Sequence, residues 1–310
     1  MAVLLIAHST FPQSWRDAFE VAFRNEGLAI WPNADDLAAI DCAVVARPVA
    51  GVLSKLPNLK IISSTGMGAD HILSLPDLPK HVPLVRVVTA EMIDQVAEYV
   101  TLAVLRVERE SDRFDQLQRD GKWERRVSGR PGGKLRVGLL GWGVISREIA
   151  RRLTFLGFQV RAWARSVRFE GDVVVHAGRD GLNDVLAASN ILISALPNTK
   201  STENLLNADV LSRLPTGAHI INVGRGEHLV DEALLEALQR GHLSGATLDV
   251  FRKEPLPTDH PYWQHEKIRL TPHSAGMLRP ADSAAAILAN LQRVRSGHRP
   301  HNQINIELGF

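Results

Sequence analysis

Short apolar runs recur along the chain, alternating with stretches whose apolar positions return every three or four residues. A continuous apolar run suits a strand buried on both faces, and the three-to-four spacing suits a helix with one face in a core. The early runs at 3–7, 43–46, 60–63 and 84–88 predict strands. Between the first two, 14–26 predicts a helix with Trp15, Phe19, Ala22 and Phe23 on its apolar face. The stretch 90–119 lacks Gly and Pro and reads as one long helix, with Val96, Val100, Val104 and Val107 along one side. It ends before Gly121, and 121–134 reads as a basic, Gly-containing connector. Further strands are predicted near 135–140, 158–164, 173–175, 191–195, 219–223, 245–250 and 268–271, with helical stretches such as 144–156 between most of them. A last helix, 281–295, follows Pro280 with no strand after it, and is expected to return onto the first unit.

Strands alternating with helices in this way predict an α/β protein with parallel sheets. The expected plan is two Rossmann-like, doubly wound domains, with 93–275 inserted into a domain made of 1–92 and 276–310. A length of 310 residues allows two cores, and 45% hydrophobic with 23% charged residues is ordinary globular composition. The net charge of +2, without a long Lys/Arg run, argues against nucleic acid or an acidic membrane surface as partner. The one cysteine, Cys42, forms no intramolecular disulfide, suits a reducing compartment and reads as a small buried residue. The apolar start at 1–7 lacks a basic flank and reads as a buried strand. No run approaches the roughly 20 apolar residues that span a bilayer. A cytoplasmic protein without a metal site is expected.

Arg136-Val137-Gly138-Leu139-Leu140-Gly141-Trp142-Gly143-Val144-Ile145-Ser146 lies between a predicted strand and a predicted helix. In such a turn Gly141 permits the tight bend, and Gly143 lets the backbone approach a pyrophosphate at the helix N-terminus. Ser146 stands where a third glycine is usual, a position that serves close helix–strand packing and tolerates a small side chain. The next strand ends at Ala164-Arg165-Ser166, then Arg168, with no carboxylate before Glu170. A carboxylate there would bind a ribose 2′-hydroxyl, whereas guanidinium groups pair with a 2′-phosphate. NADP(H) is therefore the expected dinucleotide.

Three polar side chains fall at or just past predicted strand ends: Arg225 after 219–223, Glu254 after 245–250 and His273 after 268–271. In an open parallel sheet the ligand crevice lies beyond those ends. A guanidinium, a carboxylate and an imidazole at one rim suit a small anionic carbonyl compound. The imidazole can move a proton near neutral pH, and the carboxylate can fix its tautomer and raise its pKa. The guanidinium can grip a substrate carboxylate and polarise a carbonyl. Singly, each has a plainer explanation: Arg225 as a surface residue of a Gly-flanked turn, Glu254 as a cap before Pro255, His273 as a satisfied core histidine. With 12 histidines in the chain, one alone means little.

Together with Leu196-Pro197-Asn198-Thr199, the segments 138–146, 222–226, 249–255 and 271–273 resemble the D-isomer-specific 2-hydroxyacid dehydrogenases, over nearly the whole chain. Within that family, 163–166, 249–257 and 260–265 look most like the bacterial NADPH-using glyoxylate/hydroxypyruvate reductases. The resemblance implies that Arg225, Glu254 and His273 are catalytic. It places Gly141, Trp142, Gly143, Val144, Ile145, Ala164, Arg165, Ser166, Arg168, Leu196, Pro197, Thr202, Val223, Gly224 and Asp249 on the cofactor, with Asp249 toward the nicotinamide carboxamide. It places Met67, Gly68 and Ala69, with Arg47, Arg225 and His273, on the substrate. It makes 93–275 an NADP-binding Rossmann domain, and 1–92 with 276–310 a flavodoxin-like substrate-binding domain. The implied activity is NADPH-dependent reduction of a short 2-oxo acid to the D-2-hydroxy acid, by a homodimer joined through the 90–119 helix. A dehydrogenase for another D-2-hydroxy acid and a non-catalytic dinucleotide-sensing interaction protein are the competing readings.

Overall fold

Aliphatic and β-branched runs become parallel strands throughout a computed structural model that describes residues 1–125 and 133–310. Of the predicted connector 121–134, residues 126–132 lie outside the described residues. In chain order the first elements are β1 (Ala2–Ile6), α1 (Gln13–Ala22), β2 (Leu28–Ile30), β3 (Ile40–Val45), β4 (Ile61–Ser64), α2 (Asp70–Leu73) and β5 (Leu84–Val85). There follow α3 (Ala90–Glu108), α4 (Ser111–Arg119), β6 (Arg136–Leu140), α5 (Val144–Phe155), β7 (Gln159–Trp163), β8 (Arg168–Glu170), β9 (Val173–His176) and α6 (Gly178–Ala188). The chain continues with β10 (Ile191–Ser194), α7 (Ala208–Ser212), β11 (Ala218–Asn222), α8 (Asp231–Gln239), β12 (Leu243–Leu248), β13 (Ile268–Leu270) and α9 (Pro280–Arg295). Among the described residues no helix is long and apolar enough to cross a membrane.

Two compact units result: Met1–Met92 with Met277–Phe310, and Ile93–Gly276. The first holds a five-stranded sheet of order β2-β1-β3-β4-β5, parallel throughout, the flavodoxin-like winding. One face receives Phe19 and Phe23 together with Ala284, Ile287 and Leu291 of α9, so the last helix does return to this unit. Asp41 is buried, and Arg295 at the end of α9 grips its two oxygens at 2.9 and 2.8 Å while also pairing with Glu26. Cys42 is wholly buried; burial and then the neighbouring Asp41 push its thiol above the usual range, which suits a packing residue.

The second unit has an eight-stranded sheet of order β13-β12-β11-β10-β6-β7-β9-β8, parallel except for the antiparallel β8–β9 pair. The chain runs outward from β6 to β9 and then returns to β10, so the winding reverses between β6 and β10, where α/β sheets bind ligands. Val96, Ala97, Val100, Ala103 and Val104 of α3 pack with Val137, Leu139 and Ile149. The apolar stripe seen in the sequence thus fills the unit's own core, with Val107 packed at its margin.

Two expectations are corrected here. The single helix 90–119 is two, because Glu110 takes a left-handed conformation at φ 51° and turns the chain back. That bend brings Asp112 and Asp115 onto Arg106 and Arg269, the last at 2.7 and 2.8 Å. The contacts to Arg269 lie far off in sequence, and helical periodicity could not register them. The strands β2 and β8 were not expected either; each is three residues long, and Arg168-Phe169-Glu170 has no apolar run to mark it.

Removing Arg295 leaves Asp41 buried without its bidentate partner, and breaking a buried pair this way costs about 3 kcal/mol. Arg295→Ala is therefore expected to lower the urea midpoint of the first unit by a corresponding amount. A midpoint equal to that of the parent protein would show the pair to be energetically idle.

Candidate active site

The turn after β6 is built for close approach. Gly141 sits at φ +100°, and a Cβ there would lie 2.9 Å from the Ala195 carbonyl oxygen, so neither conformation nor space admits a side chain. Gly143 is the N-cap of α5, and a Cβ there would meet no heavy atom within 4 Å. The N-terminus of α5 thus carries no side-chain cap and the space beside Gly143 is open, an arrangement that fits a pyrophosphate. Ser146 is 1% exposed and takes the third-glycine position within the helix–strand contact. Val144 is exposed and Ile145 half-buried beside it.

Ala164 is half-buried, Arg165 and Ser166 are exposed, and Arg168 donates to Ser166 Oγ at 2.8 Å. Glu170, the first carboxylate after them, is engaged elsewhere: it accepts from Trp142 Nε1 at 2.9 Å and pairs with Arg147 at 3.0 Å. Beyond β10 the loop braces itself, Thr202 Oγ1 donating to the Pro197 carbonyl at 2.7 Å and accepting from the Thr199 amide at 2.9 Å. Leu196 at its start is buried.

Past β11, Asn222 folds the next turn by donating to the Arg225 carbonyl at 2.9 Å and accepting from the Gly224 amide at 3.2 Å. Val223 is half-buried between them. His228, wholly buried beneath the turn, escaped the sequence reading. Its Nδ1 accepts from the Arg225 amide at 3.2 Å, and its Nε2 reaches the Pro197 carbonyl at 3.2 Å, which assigns the Nε2–H tautomer. A histidine three residues beyond the arginine was the available signal, but its burial was not. Gly226 allows the turn to press on the chain leaving β12; a Cβ there would lie 1.9 Å from the Phe251 carbonyl carbon and 2.3 Å from the Arg252 nitrogen.

Arg225, Glu254 and His273, from loops past β11, β12 and β13, are brought together. Glu254 divides its oxygens: Oε1 accepts from the Phe251 amide at 3.0 Å and Oε2 from His273 Nδ1 at 2.8 Å. It is at once the loop cap and the histidine's partner. Burial would raise the Glu254 pKa, but the bonds from His273 and Phe251 outweigh it and hold the carboxyl below its usual range. The bond to Glu254 lifts the His273 pKa above its ordinary value, against the opposing effects of burial and of Arg225. With 47% of its side chain exposed, His273 is no core histidine, and its Nε2 faces away from the Glu254 bond.

Asp249 is 2% exposed, and its carboxylate turns into the following loop. Oδ1 accepts from Thr271 Oγ1 at 2.6 Å and the Ser274 amide at 2.8 Å, and both oxygens accept from the Ala275 amide at 3.0 Å. In the other unit, Ser64 Oγ donates to the Gly68 carbonyl at 2.7 Å and accepts from the Gly66 amide at 3.2 Å, bracing the turn at Met67 and Gly68, while the Ala69 side chain is buried in that unit's core. Arg47 is exposed just past β3.

The backbone contact at Gly226 predicts the consequence of filling it. Gly226→Ala must push the Arg225 turn off the Phe251–Arg252 backbone, and a displacement of about 1 Å at reacting groups can cost on the order of a hundredfold in rate. Steady-state kinetics of a folded Gly226→Ala protein with undiminished turnover would refute that reading of the contact.

The chain is also similar to known proteins along its whole length. The profile of the D-isomer specific 2-hydroxyacid dehydrogenase NAD binding domain matches residues 101–275. A glyoxylate/hydroxypyruvate reductase A of Serratia proteamaculans is 37% identical over 303 residues, 96% of each chain. A D-isomer specific 2-hydroxyacid dehydrogenase from Xanthobacter autotrophicus Py2, solved with NADPH and MES, superposes at a TM-score of 0.92 with 34% identity, covering 100% of this chain and 99% of that one. The NADPH-dependent glyoxylate/hydroxypyruvate reductase of Sinorhizobium meliloti, solved with NADP and sulfate, also gives 0.92, at 30% identity and 100% coverage of both chains. By that profile and those full-length likenesses, the chain belongs to the D-isomer-specific 2-hydroxyacid dehydrogenases.

Proposed function

We propose that this enzyme reduces a short 2-oxo acid, glyoxylate or hydroxypyruvate, to the D-2-hydroxy acid with NADPH. The observation that carries the proposal is the Glu254–His273 pair at 2.8 Å, with Arg225 acting on both partners. The named activities of the Serratia and Sinorhizobium relatives support it. An intact acid–base pair argues against a purely dinucleotide-sensing protein.

In this reading Arg225 binds the substrate carboxylate and polarises the carbonyl. His273, held at Nδ1 by Glu254, gives its Nε2 proton to the carbonyl oxygen as negative charge develops there. Glu254 stabilises the imidazolium before transfer and fixes the ring's orientation. The uncapped amides after Gly141, Trp142 and Gly143, with Val144 and Ile145, would hold the pyrophosphate. Leu196, Pro197, Thr202, Val223, Gly224 and Asp249 would line the remainder of the dinucleotide. Ala164, Arg165, Ser166 and Arg168 would receive the 2′-phosphate, since guanidinium groups pair with it and Glu170 is already occupied. Bound NADPH supplies the hydride. The roles of Arg47, Met67, Gly68 and Ala69 at the substrate rest on the family resemblance and on the braced Gly66–Gly68 turn. A homodimer belongs to the same reading, supported by exposed Leu102, Phe114 and Trp123 on and after α3 and α4; a monomeric mass in light scattering would remove it.

The test is the initial rate of NADPH or NADH oxidation across glyoxylate, hydroxypyruvate, pyruvate and a branched 2-oxo acid. Rapid NADPH-linked turnover of the first two is expected; none with any of the four would overturn the reading. Arg165→Asp should weaken NADPH far more than NADH, and equal effects would remove the 2′-phosphate assignment.

His273→Gln should cost about 10²–10⁴-fold in kcat, the usual contribution of a positioned acid. The pH dependence follows from the raised His273 pKa. The proton needed for reduction is present below that pKa and lost as pH rises through it, so the rate has a falling alkaline limb. Glu254→Gln removes the chief cause of the rise, and the limb should move to lower pH. A limb that moves upward, or stays in place, would separate it from this pair.

A further inference from the structure

Tyr99 lies on α3, far in sequence from the loop it touches. It is one of only two tyrosines in the chain. Its hydroxyl is 2.7 Å from Thr271 Oγ1, across 172 positions of sequence. Thr271 has one hydroxyl proton and gives it to Asp249 Oδ1 at 2.6 Å. Tyr99 must therefore be the donor to Thr271. The result is a directed chain, phenol to threonine to buried carboxylate.

That carboxylate is the hub of the loop bearing His273. It also receives the Ser274 and Ala275 amides, and the Asp249 carbonyl accepts the His273 amide at 2.8 Å. His273 itself sits at φ 52°, the left-handed region disfavoured for a residue with a Cβ. Such a conformation persists only where its surroundings over-determine it. The Asp249 bonds supply the restraint from one side of the loop, and Glu254 supplies it at the ring. Tyr99 ties the arrangement to α3, where Val96 and Val100 are buried in the unit's core.

We infer that Tyr99 and Thr271 are positioning residues for His273, acting through Asp249 as a hydrogen-bonded brace that aims the imidazole at Glu254. The inference rests on the proposed role of His273 as proton donor. Burial, with the Asp249 charge adding to it, raises the Tyr99 pKa despite the bond to Thr271, so the phenol stays a donor through the working pH range. The titratable groups acting on His273 are Glu254 from the loop after β12, Arg225 from the turn after β11, and Asp249 at the end of β12. Tyr99 reaches it through Thr271 and Asp249.

The experiment compares kcat–pH profiles of the parent enzyme with Tyr99→Phe, Thr271→Val, Thr271→Ser and the double variant Tyr99→Phe/Thr271→Val, using NADPH and glyoxylate or whichever 2-oxo acid turns over. Circular dichroism establishes that each is folded, and the Thr271 pair carries the test if Tyr99→Phe is not. Tyr99→Phe should lower kcat roughly tenfold, as loosened aim does, with a smaller change in KM for NADPH, whose proposed site Asp249 also lines. As the His273–Glu254 contact slackens, the alkaline limb should move to lower pH. Thr271→Ser keeps the hydroxyl and should keep both rate and limb, while Thr271→Val loses both. The double variant should be no worse than Thr271→Val, because the two groups act in one chain. Unchanged rate and limb in Tyr99→Phe, a rate loss without a limb shift, or additive losses in the double variant would each overturn the inference. Failure of the underlying reading shows separately, as undiminished turnover in His273→Gln.

Discussion

The buried carboxylate of Asp249 is the constraint on which the rim of Arg225, Glu254 and His273 depends. A carboxylate at 2% exposure is tolerable only if its oxygens are satisfied, because an unpaired buried charge costs far more than any single bond returns. The chain satisfies it with the loop that follows β13: a threonine hydroxyl and two successive amides close onto it. Closing that loop also forces the conformation of His273, whose amide binds the Asp249 carbonyl and whose backbone is left-handed. The demand of one buried charge is thus converted into the placement of an imidazole.

Similar logic sets the other two members of the trio. The Arg225 turn can lie against the backbone leaving β12 only because position 226 has no side chain. His228 holds that turn from below, accepting the Arg225 amide and reaching the Pro197 carbonyl, so the loops after β10 and β11 are linked through one ring. Glu254 meets His273 with one oxygen while its other oxygen is tied to its own loop. Each group that faces solvent with a reactive atom is restrained through a second atom. Positional precision of this kind, more than the identity of the groups, separates a catalytic cluster from a charged surface.

Glu170 shows why residue type alone can mislead at the nucleotide end. A carboxylate near Arg168 would ordinarily argue for a ribose hydroxyl and against a phosphate. Here the short β8 strand turns it onto Trp142 and Arg147, where it ties the glycine turn to the β8–β9 hairpin. Arg165 and Ser166 are left at the surface beside Arg168.

Much of the fold was legible because burial on both faces leaves a strong local mark. Val3–Ile6, Ile191–Ser194 and Ala218–Asn222 are strands whose residues are almost wholly buried, and unbroken apolar sequence is what such strands require. The glycine turn after β6 and the order Arg225, Glu254, His273 were legible too, since each is a local pattern beside a recognisable strand. The break at Glu110, the brief strands β2 and β8, the burial of His228 and the partnership of Tyr99 with Thr271 were not. All but β8, which pairs with β9 a few residues on, depend on residues tens to hundreds of positions apart, and a pattern read along the chain has no term for them. The sequence by itself determined the parallel α/β class, the positions of the longer strands and the chemical types available at their ends, because these follow from local hydrophobic periodicity and turn chemistry. Only the tertiary structure decided which of those groups meet, which proton each holds and which backbone is strained to hold it, because hydrogen bonds and buried charges are satisfied in space.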